Sequence, residues 1–216
     1  MITDFLKLLE REINLSIKNH SVLFSFSVFF VISLLIFVFA FGPNLDDIPN
    51  LYTPVVWVVL LFSIMLISDN FIHNDYLDGS LKELQFLGYN EELILSCKSI
   101  VMWGIIILPT LFLIPICSLF LNFKLLDLPN LLINILLASP SLILIALVSS
   151  LFSIQLKRNR ILQFVIIFPF FVPIIIFSTS INNSQNNSFL ILIGIFLVTL
   201  PVSLTAGRLI MKEINK

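Results

Sequence analysis

Charged residues divide the chain into long uncharged stretches. None falls between Lys18 and Asp46, between Asp47 and Asp69, between Lys98 and Lys124, or between Asp127 and Lys157. After Arg160 the uncharged stretch continues to Gly207. That is too long for one crossing of a hydrocarbon layer about 30 Å thick at about 1.5 Å per residue. The polar run 178–188 (STSINNSQNNS) interrupts it, because unpaired amides are costly in hydrocarbon. The pattern predicts an all-α integral membrane protein with six transmembrane helices: Ser21 to Phe41, Leu51 to Ser68, Ser99 to Phe123, Leu131 to Leu156, Ile161 to Phe177 and Phe189 to Gly207. The whole chain, 1–216, is read as one transmembrane domain.

Two segments outside these spans carry helical patterning. In residues 2–18, Ile2, Phe5, Leu6, Leu9, Ile13 and Ile17 share a face, with Asp4, Lys7, Glu10, Arg11 and Lys18 largely opposite. This is an amphipathic helix suited to the membrane interface; a simple continuation of the first span is the alternative. In the segment 69–98, Gly79 breaks the chain, and Ser80 with Glu83 three residues on has the spacing of a capping box. Gly88 is placed to end a helix of about two turns. Asn90 can cap the next one, with Glu91 and Glu92 at its positive end. So short a helix is marginal alone in water. It needs a surface to dock on, through Leu81, Leu84 and Leu87. It reads either as a coupling helix that receives force from a cytoplasmic motor or as an ordinary surface loop.

Composition sharpens the class. Apolar residues make up 58% of the 216 and charged residues 12%, with mean hydropathy +1.07. A soluble domain carries about 25% charge, so a soluble fold and a disordered chain are both excluded. A net charge of −1 excludes a nucleic-acid binder that works through a basic face. Charge also orients the bundle. With the N-terminus inside, the inner segments hold eleven Lys and Arg residues and the outer loops only Lys124. The positive-inside rule then places both termini in the cytoplasm, or in the matrix of an organelle. No cleavable signal peptide is evident.

The candidate chemistry is sparse. None of the six predicted spans contains a charged residue, which argues against an ion-coupled carrier. No phosphate-binding loop begins at any of the six glycines, so any ATP is hydrolysed by another chain. Asp69, His73, Asp75 and Ser80 lie near one another in sequence but lack a nucleophile elbow. Cys97 and Cys117 have no metal-ligand spacing, and His20 and His73 read as solvated side chains. No catalytic, cofactor or metal residue is assigned. Pro54, Pro109, Pro115, Pro140, Pro169, Pro173 and Pro201 fall within spans and predict bent, tightly packed helices.

One set of motifs resembles a known family. It comprises Gly42-Pro43, Pro54-x-x-Trp57, Asp75-x-x-Asp78-Gly79-Ser80-Leu81-x-x-Leu84, Lys98, Trp103, Pro109, Ser139-Pro140, Lys157-Arg158 and Pro169-x-x-x-Pro173-x-x-x-Phe177. With the length and the six-span layout, these make the chain similar to haem exporter protein B, the membrane subunit of the ABC system for cytochrome c maturation. Lys82 stands where that family has an acidic residue, and Ala138-Ser139 replaces a glycine-rich sequence.

The resemblance implies a permease-like, non-catalytic subunit of the bacterial inner membrane, or of the mitochondrial inner membrane. It also implies a cytoplasmic ABC ATPase partner, further small membrane subunits that handle the haem, and two copies per complex. ATP hydrolysis by the partner would drive haem delivery or release of a haem-loaded periplasmic chaperone. Asp75, Asp78, Gly79, Ser80, Leu81, Glu83, Leu84 and Leu87 would form the coupling site. The residues alone also leave open an ABC exporter permease for a lipid, glycan or drug, and a non-transporting membrane scaffold.

Overall fold

The computed structural model describes residues 2–18, 20–41, 52–120, 128–156, 160–179 and 187–214. Among these residues the secondary structure is wholly helical, in the order α1 Ile2–Lys18, α2 His20–Phe41, α3 Tyr52–Leu77, α4 Ser80–Phe86, α5 Glu91–Phe120, α6 Leu128–Gln155, α7 Arg160–Thr179 and α8 Asn187–Ile214. Gly42-Pro43, Lys124, Lys157-Arg158 and most of the polar run 178–188 lie outside the described residues.

Among the described residues five helices are long and apolar enough to cross a membrane: α2, α3, α5, α6 and α8. The sixth expected span falls on α7, whose apolar stretch Gln163–Thr179 is shorter. Even so, α7 runs the length of the bundle beside α6. Near one end Gln163 Nε2 donates to Ser68 Oγ (3.2 Å). Toward the other, Asn134 Nδ2 donates to the Ser178 carbonyl (3.0 Å).

The helices outrun the predicted spans. α3 continues nine residues past Ser68 to Leu77, and α5 begins at Glu91, eight residues before Ser99. A charged side chain does not stop a helix whose backbone is satisfied internally; a break in backbone conformation does. α3 therefore runs on until the chain turns at Gly79, and Asp69 and Lys98 sit inside buried helix rather than in loops. Both lie one residue outside the predicted spans Leu51 to Ser68 and Ser99 to Phe123, which themselves hold no charged residue.

α3 and α6 form the core, while few residues of the apolar stretch of α8 are buried. α6 contacts α3, α5, α7 and α8. Its buried surface is rich in small residues, among them Ala138, Ser141, Ala146, Ser149 and Ser150. Small side chains let neighbouring backbones approach closely where lipid supplies no hydrophobic drive. Their hydroxyls are satisfied mainly within the helix, as Ser141 Oγ to Ala138 O (2.7 Å) and Ser149 Oγ to Ala146 O (2.8 Å). Ser150 Oγ instead crosses to Ser68 O on α3 (3.1 Å).

The structure accounts for the Ser139-Pro140 motif. Pro140 lacks the N–H that would bond the carbonyl four residues back, at Leu136. Ser139 Oγ donates to that carbonyl at 3.4 Å and accepts Trp103 Nε1 from α5 at 2.9 Å. Ser139→Ala removes a buried acceptor from the indole and is expected to destabilise the bundle by about 1–3 kcal/mol. SDS-induced unfolding in detergent measures this; a change below about 0.5 kcal/mol would show that the hydroxyl is dispensable. Pro54 lies in the first turn of α3, where no intrahelical N–H bond is lost, so no kink is required there.

Candidate coupling site at the charged end of the bundle

α1, the α3–α4 turn, the start of α5 and the end of α8 meet at one end of the bundle. Cys97 Sγ donates to Phe5 O (3.7 Å), and Arg208 Nη1 bonds Glu92 Oε1 (2.9 Å). The amphipathic α1 is a helix distinct from α2 and packs chiefly on α5. Its apolar side divides in two. Phe5, Leu8 and Leu9 turn to the bundle, with Glu12 on the same line, while Leu6, Ile13 and Ile17 stay uncovered.

The turn into α4 is built from backbone. Asp78 N donates to Asn74 O (2.9 Å) and Gly79 N to Tyr76 O (3.2 Å). Gly79 takes φ +73, in the left-handed region where only glycine is free of strain. It is Gly79, not Ser80, that occupies the N-cap position, and no side-chain cap bond forms. The expected capping box is thus replaced: Ser80 Oγ turns back and donates to Asp75 O at 3.1 Å, tying α4 to the end of α3. The far end matches the expectation. Gly88 has φ +84, its N–H bonds Gln85 O (2.9 Å), and Tyr89 N bonds Leu84 O (3.2 Å). This paired 5→2 and 6→1 pattern is a Schellman stop.

The seven-residue α4 docks on its own chain. Leu81 and Leu84 are 7% and 1% exposed, facing inward. Leu87 does not join them. It is 68% exposed, as the C-cap it lies past the last helical turn, and its neighbour Phe86 is 89% exposed. With Leu77 they leave three large apolar side chains in the open around the short helix. Lys82, Glu83 and Asp78 are also exposed.

Beneath this turn lies a buried ion cluster. Lys98 on α5 is 0% exposed, and its Nζ bonds Glu12 Oε2 on α1 (2.9 Å) and Asp75 Oδ2 on α3. The ammonium also lies over the Phe71 ring, 5.2 Å from its centroid. Arg11 Nη1 occupies the other oxygen of Glu12 (3.0 Å). One lysine thus joins three helices, and Asp75 holds both ends of the linkage: its carboxylate binds Lys98 while its carbonyl accepts Ser80. Asp75 was a sequence candidate; Glu12 was not. The signal for Glu12 was present, since a charge on the apolar face of an amphipathic helix requires a partner there.

Among the described residues no group of three or more His, Cys, Asp and Glu is placed to hold a metal ion, and Cys97 and Cys117 are free thiols. The site consists of a short helix tied through Ser80 and Asp75 to a buried ion-paired junction.

Comparison with known proteins identifies the family. The chain is similar to Heme exporter protein B of Haemophilus influenzae, at 24% identity over 177 residues, 82% of this chain and 80% of the relative. It is 28% identical over 172 residues to Heme exporter protein B of Pseudomonas aeruginosa, covering 80% and 77%. The protein of that name in Bradyrhizobium diazoefficiens is 24% identical over 177 residues, covering 82% and 80%. Residues 3–212 match the family described as CcmB protein, and with nearly the whole chain inside that match, the protein belongs to the CcmB family.

Proposed function

We propose that the chain is the multi-pass membrane subunit of a haem-export ABC complex for cytochrome c maturation in the bacterial inner membrane. In this reading the shorter α7 crosses the bilayer together with α2, α3, α5, α6 and α8, both termini and α4 face the cytoplasm, and the uncovered Leu6, Ile13 and Ile17 of α1 lie in the lipid interface. A partner subunit hydrolyses ATP. Its movement reaches α4, passes through the Ser80–Asp75 linkage to Lys98, and from there to α1, α3 and α5. In this reading the subunit works on haem delivery or release of a haem-loaded periplasmic chaperone by mechanical coupling. Two copies pair with the ATPase, and further small membrane subunits handle the haem.

The observation that carries the reading is the division of α4 between two tasks. Leu81 and Leu84 anchor it inward, while Phe86 and Leu87 stand open outward. Exposed aromatic and aliphatic side chains clustered on a short rigid element are what a partner's pocket engages. The double variant Phe86→Asp/Leu87→Asp leaves the inward anchors intact. It is expected to reduce co-purification of the ATPase subunit at least tenfold and to abolish c-type cytochrome assembly, with the membrane level of the chain unchanged. Co-purification and cytochrome assembly at wild-type levels would overturn the reading.

A further inference from the structure

We infer that Trp57 and Asn134 hold a buried water between α3, α6 and α7, in the half of the bundle remote from α4. Two unpartnered polar atoms carry the inference. Trp57 is 0% exposed and Asn134 2%. Among the described residues neither the indole Nε1 nor the amide Oδ1 has a hydrogen-bond partner. One is a donor without an acceptor, the other an acceptor without a donor. Turning the amide over does not cure this. Asn134 Nδ2 donates to Ser178 O at 3.0 Å. A carbonyl only accepts, so Oδ1 has to face away from it.

Register brings the two atoms to one seam. Nearer α4, Ser68 on α3 accepts Ser150 Oγ from α6 at its carbonyl and Gln163 Nε2 from α7 at its hydroxyl. Ser68 therefore faces the seam where α6 and α7 meet. Trp57 lies eleven residues back along α3, about three turns, and so on the same face. α3 and α6 both run toward the α4 end, since α5 begins just after α4 and α6 begins where α5 ends. Asn134 is sixteen residues back from Ser150 along α6, and Ser178 fifteen on from Gln163 along α7, which keeps these two helices in step. Measured from Ser68, Asn134 then stands five residues beyond Trp57, about 7.5 Å of helical rise. A helical side chain leans toward its own N-terminus, so the long indole of Trp57 reaches in the direction of Asn134. What remains between the polar atoms is a gap that one water spans.

Polarity selects the occupant. A buried donor and a buried acceptor are each costly when left unmade. A water accepts from the indole and donates to the amide oxygen, and two polar partners suffice to order it. A cation would be repelled by the N–H, an anion by the amide oxygen, and an apolar group would leave both unmade. The bridge completes a chain from Trp57 through the water and Asn134 to Ser178. It joins α3, α6 and α7 at a second level, as Ser68 joins them directly nearer α4.

The chain's two tryptophans make the test direct. Ultraviolet resonance Raman spectra of the full chain in lipid nanodiscs carry a band that shifts when an indole N–H is hydrogen-bonded. The Trp57 signal is the difference between wild type and Trp57→Phe. Trp103, bonded to Ser139 at 2.9 Å, is the internal reference. In wild type the Trp57 band is expected at the bonded position, and Asn134→Leu should shift it to the free position while the Trp103 band stays put. Brief X-ray radiolysis then identifies the bridging species, because an ordered water becomes a hydroxyl radical in place. Trp57, though buried, should be oxidised in wild type, and Asn134→Leu should abolish that oxidation. A free Trp57 N–H in wild type would overturn the site, as would a bonded one that Asn134→Leu leaves unchanged. A bonded indole with no oxidation at Trp57 would overturn it too, by assigning a direct contact instead of a water. If Asn134→Leu does not fold, which a displaced Trp103 band would show, the two wild-type measurements decide alone. None of these outcomes involves the ATPase partner, so the water site stands or falls apart from the coupling reading.

Discussion

Lys98→Met is expected to cost the folded chain about 3 kcal/mol, read as a shifted midpoint of SDS-induced unfolding in detergent. Removing one partner of a buried ion pair costs about 3–5 kcal/mol, because a charge is left in the interior without compensation. Two carboxylates depend on this one ammonium, but unequally. Asp75 is 22% exposed and can turn toward water, whereas Glu12 is 2% exposed and cannot. Glu12 keeps Arg11 at 3.0 Å, which places the cost at the lower end of the range. The triple variant Glu12→Gln/Asp75→Asn/Lys98→Met removes all three charges together and is expected to regain most of the loss. Arg11, at 35% exposure, is an outer partner, and Arg11→Ala should cost no more than about 1 kcal/mol. A Lys98→Met midpoint within about 0.5 kcal/mol of wild type would show that the cluster does not hold α1 to the bundle. Since the junction also carries the proposed movement from α4, the triple variant separates its two roles. It restores packing without restoring the ionic linkage, so its c-type cytochrome yield reports on transmission and not on folding.

What the chain's pattern made legible was whatever lipid imposes. Each predicted span falls on a helix, and Gly88 ends α4 by the backbone geometry expected of it. The boundaries were not legible, because hydropathy measures where hydrocarbon begins, while a helix ends where the backbone breaks. α3 therefore passes Asp69 and stops at Gly79, and α5 starts before Lys98. Both charges then fall inside helices that the hydropathy pattern had kept free of them. The ion cluster was hidden for a related reason. Glu12, Asp75 and Lys98 are separated by 63 and 23 residues, and nothing local in the sequence shows that an amphipathic N-terminal helix folds back onto α5. The capping box at Ser80 failed on a finer point. Gly79 can enter the left-handed region, so it takes the N-cap and leaves the serine hydroxyl for Asp75. Leu87 repeats the three-residue spacing of Leu81 and Leu84, but spacing carries meaning only while the helix lasts, and the helix ends at Phe86.

That difference between Leu84 and its neighbours sets up the second large effect. Leu84→Asp is expected to cost more than 4 kcal/mol and to detach α4, with rapid proteolytic cleavage between Gly79 and Gly88 in the detergent-solubilised chain. Losing a buried leucine side chain alone costs about 2–5 kcal/mol, and Leu84 is 1% exposed within the core. A carboxylate in its place adds the penalty of an uncompensated charge among apolar groups. α4 has only two inward anchors and seven residues, so it has no reserve of helical stability with which to stay folded once undocked. Phe86→Asp, two residues on and open to solvent, should stay within about 0.5 kcal/mol of wild type and resist cleavage. If Leu84→Asp keeps wild-type proteolytic resistance, α4 is held by something other than its leucines, and the docking arrangement described above is wrong. If both variants lose the ATPase partner but only Leu84→Asp is cleaved, the two faces of α4 are separated experimentally. The inner face then holds the helix in place, and the outer face meets the motor.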